Sequence, residues 1–365
     1  MKLFTSLLLL TFLSTTACSA QDFRGYSVET VVDGIQIPWG MVWLPNGDLL
    51  VSERGGEIYR VRDNAIVATL SGVPAVDVNG QGGLLDLELH PNFAQNGWLY
   101  LSYSSPDGEG SGSNTAIMRA RLDGDSLVEQ QLLYKAKPNT TRGQHYGSRL
   151  EFDQAGYLYF SIGDRGDRDH NPQDLSRDGG KIYRLHDDGR IPDDNPFNAK
   201  PNAMAAIYSY GHRNPQGMAR HPNSGAIWIH EHGPRGGDEI NVIKAGANYG
   251  WPILSYGINY IGTEFAEATE RKGYQSPLWY WDPSIAPSGM TFVTSDKYPD
   301  WRGQLLIGSL KFDYLELCSL SGESVTSCTP VMKGIGRVRN IRQGPEGDIY
   351  VAVEGGKGIL RIIKK

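Results

Sequence analysis

Apolar positions along this chain rarely recur at helical spacing. They come in runs of about four to eight residues rich in Val, Ile, Leu, Tyr and Trp, closed by Gly, Asn, Asp and Pro, which is the pattern of strands joined by tight turns. One unit recurs six times: a small residue or Gly, an apolar strand, a turn, and a second apolar strand. The copies start at Gly40, Gly83, Gly147, Gly217, Gly289 and Val338. Internal repetition of this kind marks a propeller, so the expected fold is all-β with six blades. The copies are unevenly spaced, which puts insertions in the loops. The longest, 165–206 and 248–288, are dominated by Asp, Asn, Pro and Gly and are expected to roof one face of the disc.

At 365 residues the chain is long enough for two ordinary domains, but its 45 Gly and 20 Pro are dispersed rather than gathered in a linker. One large domain over 31–365 is therefore expected. A net charge of -6 leaves no basic stripe for a phosphate backbone, which argues against nucleic acid as a partner. Lys2, the apolar run Leu3 to Leu13 and the small residues before Cys18 read as an export signal over 1–17, followed by a tether over 18–30. The run is too short to span a membrane comfortably. Thr15-Thr16-Ala17-Cys18 resembles a lipoprotein cleavage box with Thr15 where Leu is usual, so lipidation of Cys18 and cleavage after Ala20 are the two alternatives. Both put the mature protein outside the cytoplasm, in the periplasm. There Cys318 and Cys328 could close a hairpin as a disulfide.

The stretch from Gly143 to Asp169 holds the clearest candidate chemistry. His145 precedes two strand-like runs, Arg149 to Phe152 and Tyr157 to Ile162, and Asp164, Asp167 and Asp169 follow them. If the runs form a hairpin, the loops bearing His145 and Asp164 emerge at one edge, where a carboxylate can orient an imidazole as a general base. A charged surface turn is the plainer reading of the three aspartates. Arg213 and Asn214 sit in a turn pinned by Pro215. His230 and His232 share a face of a strand that Glu231 does not, which disfavours zinc, whereas carbonyls such as those of Gly233 and Pro234 suit a hard cation. Lys311, Arg337 and Arg339 add cations at the fifth and sixth copies, and with Arg213 they form a cationic mouth that calls for an anionic ligand. GxSxG, P-loop and CxxC motifs are absent from the sequence.

Taken in order, NGQGGLLDLELHPNF at 79–93, GQHYGSRLEFD at 143–153, SIGDRG at 161–166, YGHRNPQG at 210–217, HGPRGGDEINVIKAGANYGWP at 232–252, APSGM at 286–290, GSLK and GRVRN resemble the soluble quinoprotein glucose/sorbosone dehydrogenases, in particular the aldose sugar dehydrogenase branch. The resemblance runs from about Val31 to the C-terminus. It implies a six-bladed propeller that holds pyrroloquinoline quinone, a planar tricarboxylate, together with calcium over the central channel. It also implies roles for single residues. His145 would be the base and Asp164 its partner; Gln81, Arg213, Asn214, Lys311, Arg337 and Arg339 would contact the quinone; Gly233 and Pro234 would give backbone oxygens to calcium. An aldose would be oxidised at its anomeric carbon to a lactone, and the electrons would pass to an external acceptor. Gln144 stands where glucose-specialised members carry an acidic residue, which implies broad aldose specificity. The loops over 165–206 also differ from those expected of such members, in which they set sugar specificity and dimer contacts, and this implies a monomer. Two other readings stay open: a calcium-stabilised propeller that binds sugar or protein without turnover, and a propeller lactonase, which the mainly basic channel candidates disfavour.

Overall fold

The computed structural model describes Phe23 and residues 25–365. The expected export signal over 1–17, and Cys18 with it, lie outside the described residues. The described chain forms six four-stranded antiparallel sheets. Each begins with an inner strand: Pro38–Trp43, Leu84–Leu89, Leu150–Phe152, Pro215–Arg220, Pro287–Phe292 and Val338–Gln343. These strands pack on one another around a central axis, so the fold is a six-bladed propeller. The second strands are Leu49–Glu53, Trp98–Ser105, Leu158–Ile162, Ile227–Glu231, Leu305–Ser309 and Ile349–Val353. The six repeats read from the sequence are these six inner hairpins.

The second strands read as continuous apolar runs because a blade packs on each of their faces. Leu158–Ile162 and Ile349–Val353 are buried at every position. Each neighbouring pair of blades shares one apolar cluster. Val42 and Leu50 of the first blade, for example, meet Leu84 and Leu101 of the second. The long loops hide two short strands, Lys181–Leu185 and Trp279–Trp281, whose turn-rich flanks mask them in the sequence. The only helix among the described residues is the single turn Phe93–Asn96.

The sixth sheet is completed from the other end of the chain. Strand Tyr26–Val32 pairs with Gly358–Lys364, with Tyr26 opposite Lys364, which closes the ring. This corrects the expected boundary: residues 26–30 are propeller strand rather than tether. Cys318 and Cys328 face each other across the two outer strands of the fifth blade and are joined as a disulfide.

Two features position the site. The start of each inner strand and the end of each second strand meet at the same face of the disc, so residues far apart in sequence converge there. In addition, five of the six inner hairpins carry a register shift at that end, as at Pro38/Met41, Leu84/Leu87 and Val338/Asn340. Such bulges re-aim side chains and end pairing at the rim.

Candidate functional site

His145 lies in the loop leading into the third inner strand, and the structure brings it to Asp164 at the end of the second strand of that blade. Its backbone is left-handed, φ 56°, a conformation that costs a residue with a Cβ about 1 kcal/mol. Contacts on all sides hold it there. Gln81 Oε1 accepts the His145 N–H at 2.8 Å, and Asn214 Oδ1 accepts the Gly147 N–H at 3.2 Å. Arg165, 1% exposed, donates to the carbonyls of Arg142 and Gln144 and stacks 3.4 Å from the centre of the Tyr146 ring, gripping the loop on both sides of the histidine.

The imidazole is fixed by Asp164, whose Oδ1 lies 2.6 Å from His145 Nδ1 and also accepts the Gly166 N–H at 2.7 Å. Its Oδ2 accepts Trp251 Nε1 at 2.8 Å. Burial would raise the Asp164 carboxyl, but the bond to His145, together with His145 and Arg213 charge, outweighs it and holds the group below the usual carboxylate range. Burial and then Arg213 push His145 below its ordinary value, against the pull of Asp164. Their sum is a neutral, oriented imidazole, which is the form that accepts a proton.

Arg213 is placed by its own backbone. Its N–H donates to Glu231 Oε2 at 2.7 Å, its carbonyl accepts the Asp164 N–H at 2.8 Å, and its guanidinium donates to the His232 carbonyl at 3.2 Å. His145, Asp164, Arg213, Pro234, Trp251 and Tyr260 line one cavity of about 260 Å³. Beside it Arg54, Gln81, Gln216, Arg337, Arg339 and Glu354 line a second of about 310 Å³. A larger cavity, about 550 Å³, lies at the opposite end of the hairpins around Trp43, Asp48 and Tyr350. Its central carboxylate, Asp48, is already paired with Arg60 and Arg62, so it offers no comparable chemistry.

Not every expected residue arrives as expected. Arg337 and Arg339 do point the same way, but onto a carboxylate the sequence reading missed: Glu354 accepts Arg337 Nε at 2.7 Å and Arg339 Nε at 2.8 Å. The mouth is therefore cationic but partly neutralised. Asn214 is buried and bound to the His145 loop and to Gln216, outside the residues lining either cavity. Lys311 is exposed on the rim, its ammonium 3.1 Å from the Ser284 carbonyl oxygen, and it too lines neither cavity. Asp167 and Asp169 border the first cavity, with Asp167 tied to Arg142, His170 and Arg177. His230 and His232 share a side, as their alternation implied, and approach the carbonyls of Gly289 and Pro287.

The turn Gly233–Gly237 suits a hard cation. It folds so tightly that a Cβ on Gly233 would lie 2.2 Å from the Gly237 carbonyl oxygen and 2.4 Å from that of Gly236, which crowds backbone oxygens together. Asp238 latches the turn, accepting the N–H groups of Gly233 and Ala286 at 2.8 Å each, and burial pushes its carboxyl up to about 6. Beneath, Glu231 and Glu239 border a cavity of about 20 Å³, and burial followed by the charge of Glu231 pushes Glu239 up to about 8. Glu231, which already accepts from His212, Asn241 and the Arg213 N–H, and half-buried Glu239, which accepts from Asn241, stand with the turn carbonyls as oxygens of the kind a hard cation takes.

The family model for glucose/sorbosone dehydrogenase matches residues 35–362. The chain is 43% identical over 341 residues to aldose sugar dehydrogenase YliI of Escherichia coli (strain K12), covering 92% of this chain and 91% of that protein. Among solved structures it is similar to the apo form of the soluble aldose sugar dehydrogenase from Escherichia coli, with a TM-score of 0.90 and 41% identity over 93% of this chain and 100% of that one. It is also similar to the PQQ-bound aldose sugar dehydrogenase from Streptomyces coelicolor, with a TM-score of 0.75 and 29% identity over 93% of this chain and 98% of that one. Matched over nearly the whole propeller, the chain belongs to the glucose/sorbosone dehydrogenase family.

Proposed function

We propose that this protein, a pyrroloquinoline-quinone-dependent sugar dehydrogenase, oxidises the anomeric carbon of aldoses to lactones with His145 as general base. The observation that carries the reading is the His145–Asp164 pair, buried, correctly polarised and opening onto a cavity that Arg213 shares. The sugar enters that cavity, and Arg213 and the rim residue Tyr260 border it there. With Nδ1 held by Asp164, His145 takes the anomeric hydroxyl proton at Nε2, and Asp164 stabilises the imidazolium that results. Trp251 and Gly166 keep the carboxylate in place, so the imidazole need not reorient as charge develops.

The neighbouring cavity fits the cofactor's charge, since three guanidiniums face one carboxylate there. Gln81, Arg337 and Arg339 would hold the quinone and Arg213 would flank it; Lys311 would join them by leaving the Ser284 carbonyl, while Asn214 would act through the His145 loop. Gly233 and Pro234 would offer calcium their carbonyl oxygens, with Glu231 and Glu239 beneath. When bound, the quinone supplies a hydride acceptor and calcium supplies positive charge beside its oxygens. The protein is read as exported, periplasmic, either free or anchored through Cys18, and monomeric, with its electrons leaving to an external acceptor.

The test is reduction of an artificial electron acceptor by purified protein over a panel of aldoses, with and without calcium and pyrroloquinoline quinone. Turnover only with both present supports the reading. No turnover on any sugar, with no spectral sign of quinone binding, would favour the non-catalytic sugar-binding propeller instead.

A further inference from the structure

The second cavity holds a cation that no sequence motif pointed to. Arg54 follows the second strand of the first blade and is half-buried, with its Nη1 bound to the Gly80 carbonyl oxygen. The place is made for it by Gly83, where a Cβ would meet Arg54 Cγ at 2.7 Å and the Arg54 carbonyl oxygen at 2.0 Å. Unlike Arg337 and Arg339, Arg54 forms no ion pair among the described residues. All three guanidiniums line the same cavity, and Glu354 is the one carboxylate there.

They also sense one another. Burial lowers the pKa of Arg339, and Arg337 and Arg54 push it the same way against the pull of Glu354. Like charges this close carry a cost that Glu354 offsets only in part, and an anion of matching valence offsets the rest.

We propose that Arg54 is the third guanidinium of the cofactor site and receives one carboxylate of pyrroloquinoline quinone. Three guanidiniums against the single carboxylate of Glu354 leave the site two cations in excess, which suits a tricarboxylate better than a monoanion. The fork of an arginine gives a carboxylate two parallel hydrogen bonds that a lysine cannot reproduce. This assignment rests on the proposed function, because it requires the quinone to occupy this cavity.

The experiment is titration of the purified full-length apoprotein with pyrroloquinoline quinone in the presence of calcium, read by calorimetry so that no turnover is needed. Wild type, Arg54→Gln, Arg54→Lys and a remote charge control, Arg302→Gln, are compared, with thermal unfolding as the check on folding. Arg302 is exposed and paired with Asp296, away from the cavity. The expected result is a Kd raised roughly 10- to 100-fold in Arg54→Gln, the loss of one charge-assisted contact. Arg54→Lys should lie between that variant and wild type, with Arg302→Gln unchanged. Equal affinity in wild type and Arg54→Gln overturns the role of Arg54 while leaving the proposed function standing. Absence of quinone binding by wild type overturns both.

Discussion

Replacing Asp164 with Asn separates the charge of this residue from its shape. Asp164 is 1% exposed and uses both oxygens: Oδ1 accepts from His145 and Gly166, and Oδ2 from Trp251. An asparagine keeps the volume but must turn its NH₂ toward one of these donors. With the amide oxygen kept on His145 and Gly166, the NH₂ faces Trp251 Nε1, and one buried donor loses its acceptor at a cost of about 1–3 kcal/mol in stability. The kinetic cost is larger. When His145 takes up a proton it becomes a buried cation near Arg213, and only the Asp164 carboxylate offsets that charge. Removing one partner of a buried pair costs about 3–5 kcal/mol. At 1.36 kcal/mol per tenfold this slows turnover by roughly two to four powers of ten. The assay is steady-state acceptor reduction at saturating quinone, calcium and aldose, with quinone affinity measured separately. We expect kcat to collapse while quinone Kd stays within a few-fold. A folded, quinone-loaded Asp164→Asn protein with kcat within tenfold of wild type would refute the assignment of His145 as a base that Asp164 supports.

Three further outcomes follow from the same geometry. Because burial and Arg213 lower His145, its proton-accepting form persists as pH falls, so kcat/KM should hold down to the ordinary histidine value near 6.5 and decline only below it; a decline centred above 7 would contradict this. Arg165→Met strips the carbonyls of Arg142 and Gln144 of a buried donor, so thermal unfolding should drop and kcat should fall more than KM changes; unaltered kcat would show that the loop keeps His145 in place without it. Reducing or replacing the Cys318–Cys328 bond frees a loop with a sequence separation of 10, worth at most about 3 kcal/mol by loop closure. It should lower Tm by a few degrees and leave kcat unchanged, since the bond joins outer strands, and a lost activity would place that hairpin in the site.

The sequence by itself determined the architecture. Six apolar strand–turn–strand units can bury both faces only by packing blade on blade, so their count fixed the blade number, and the hairpin after Arg149 put His145 and Asp164 at one edge. Arg337 and Arg339 were likewise legible, because alternate residues on a strand share a side. What the tertiary structure alone decided is what those side chains meet. Glu354 opposes Arg337 and Arg339 across a strand connection, Arg54 comes from the first blade, and Trp251 reaches Asp164 from a loop 87 residues later. Lys311, one residue beyond the cavity-lining Leu310, falls on the rim. The ring closure by Tyr26–Val32 was hidden too. Glu354 follows the paired strand of the same hairpin, so it is the exception; the other cases share one physical reason. Periodicity reports which face of its own strand a residue occupies, whereas partners supplied by another blade or a long loop depend on how the ring closes, and no local pattern encodes that.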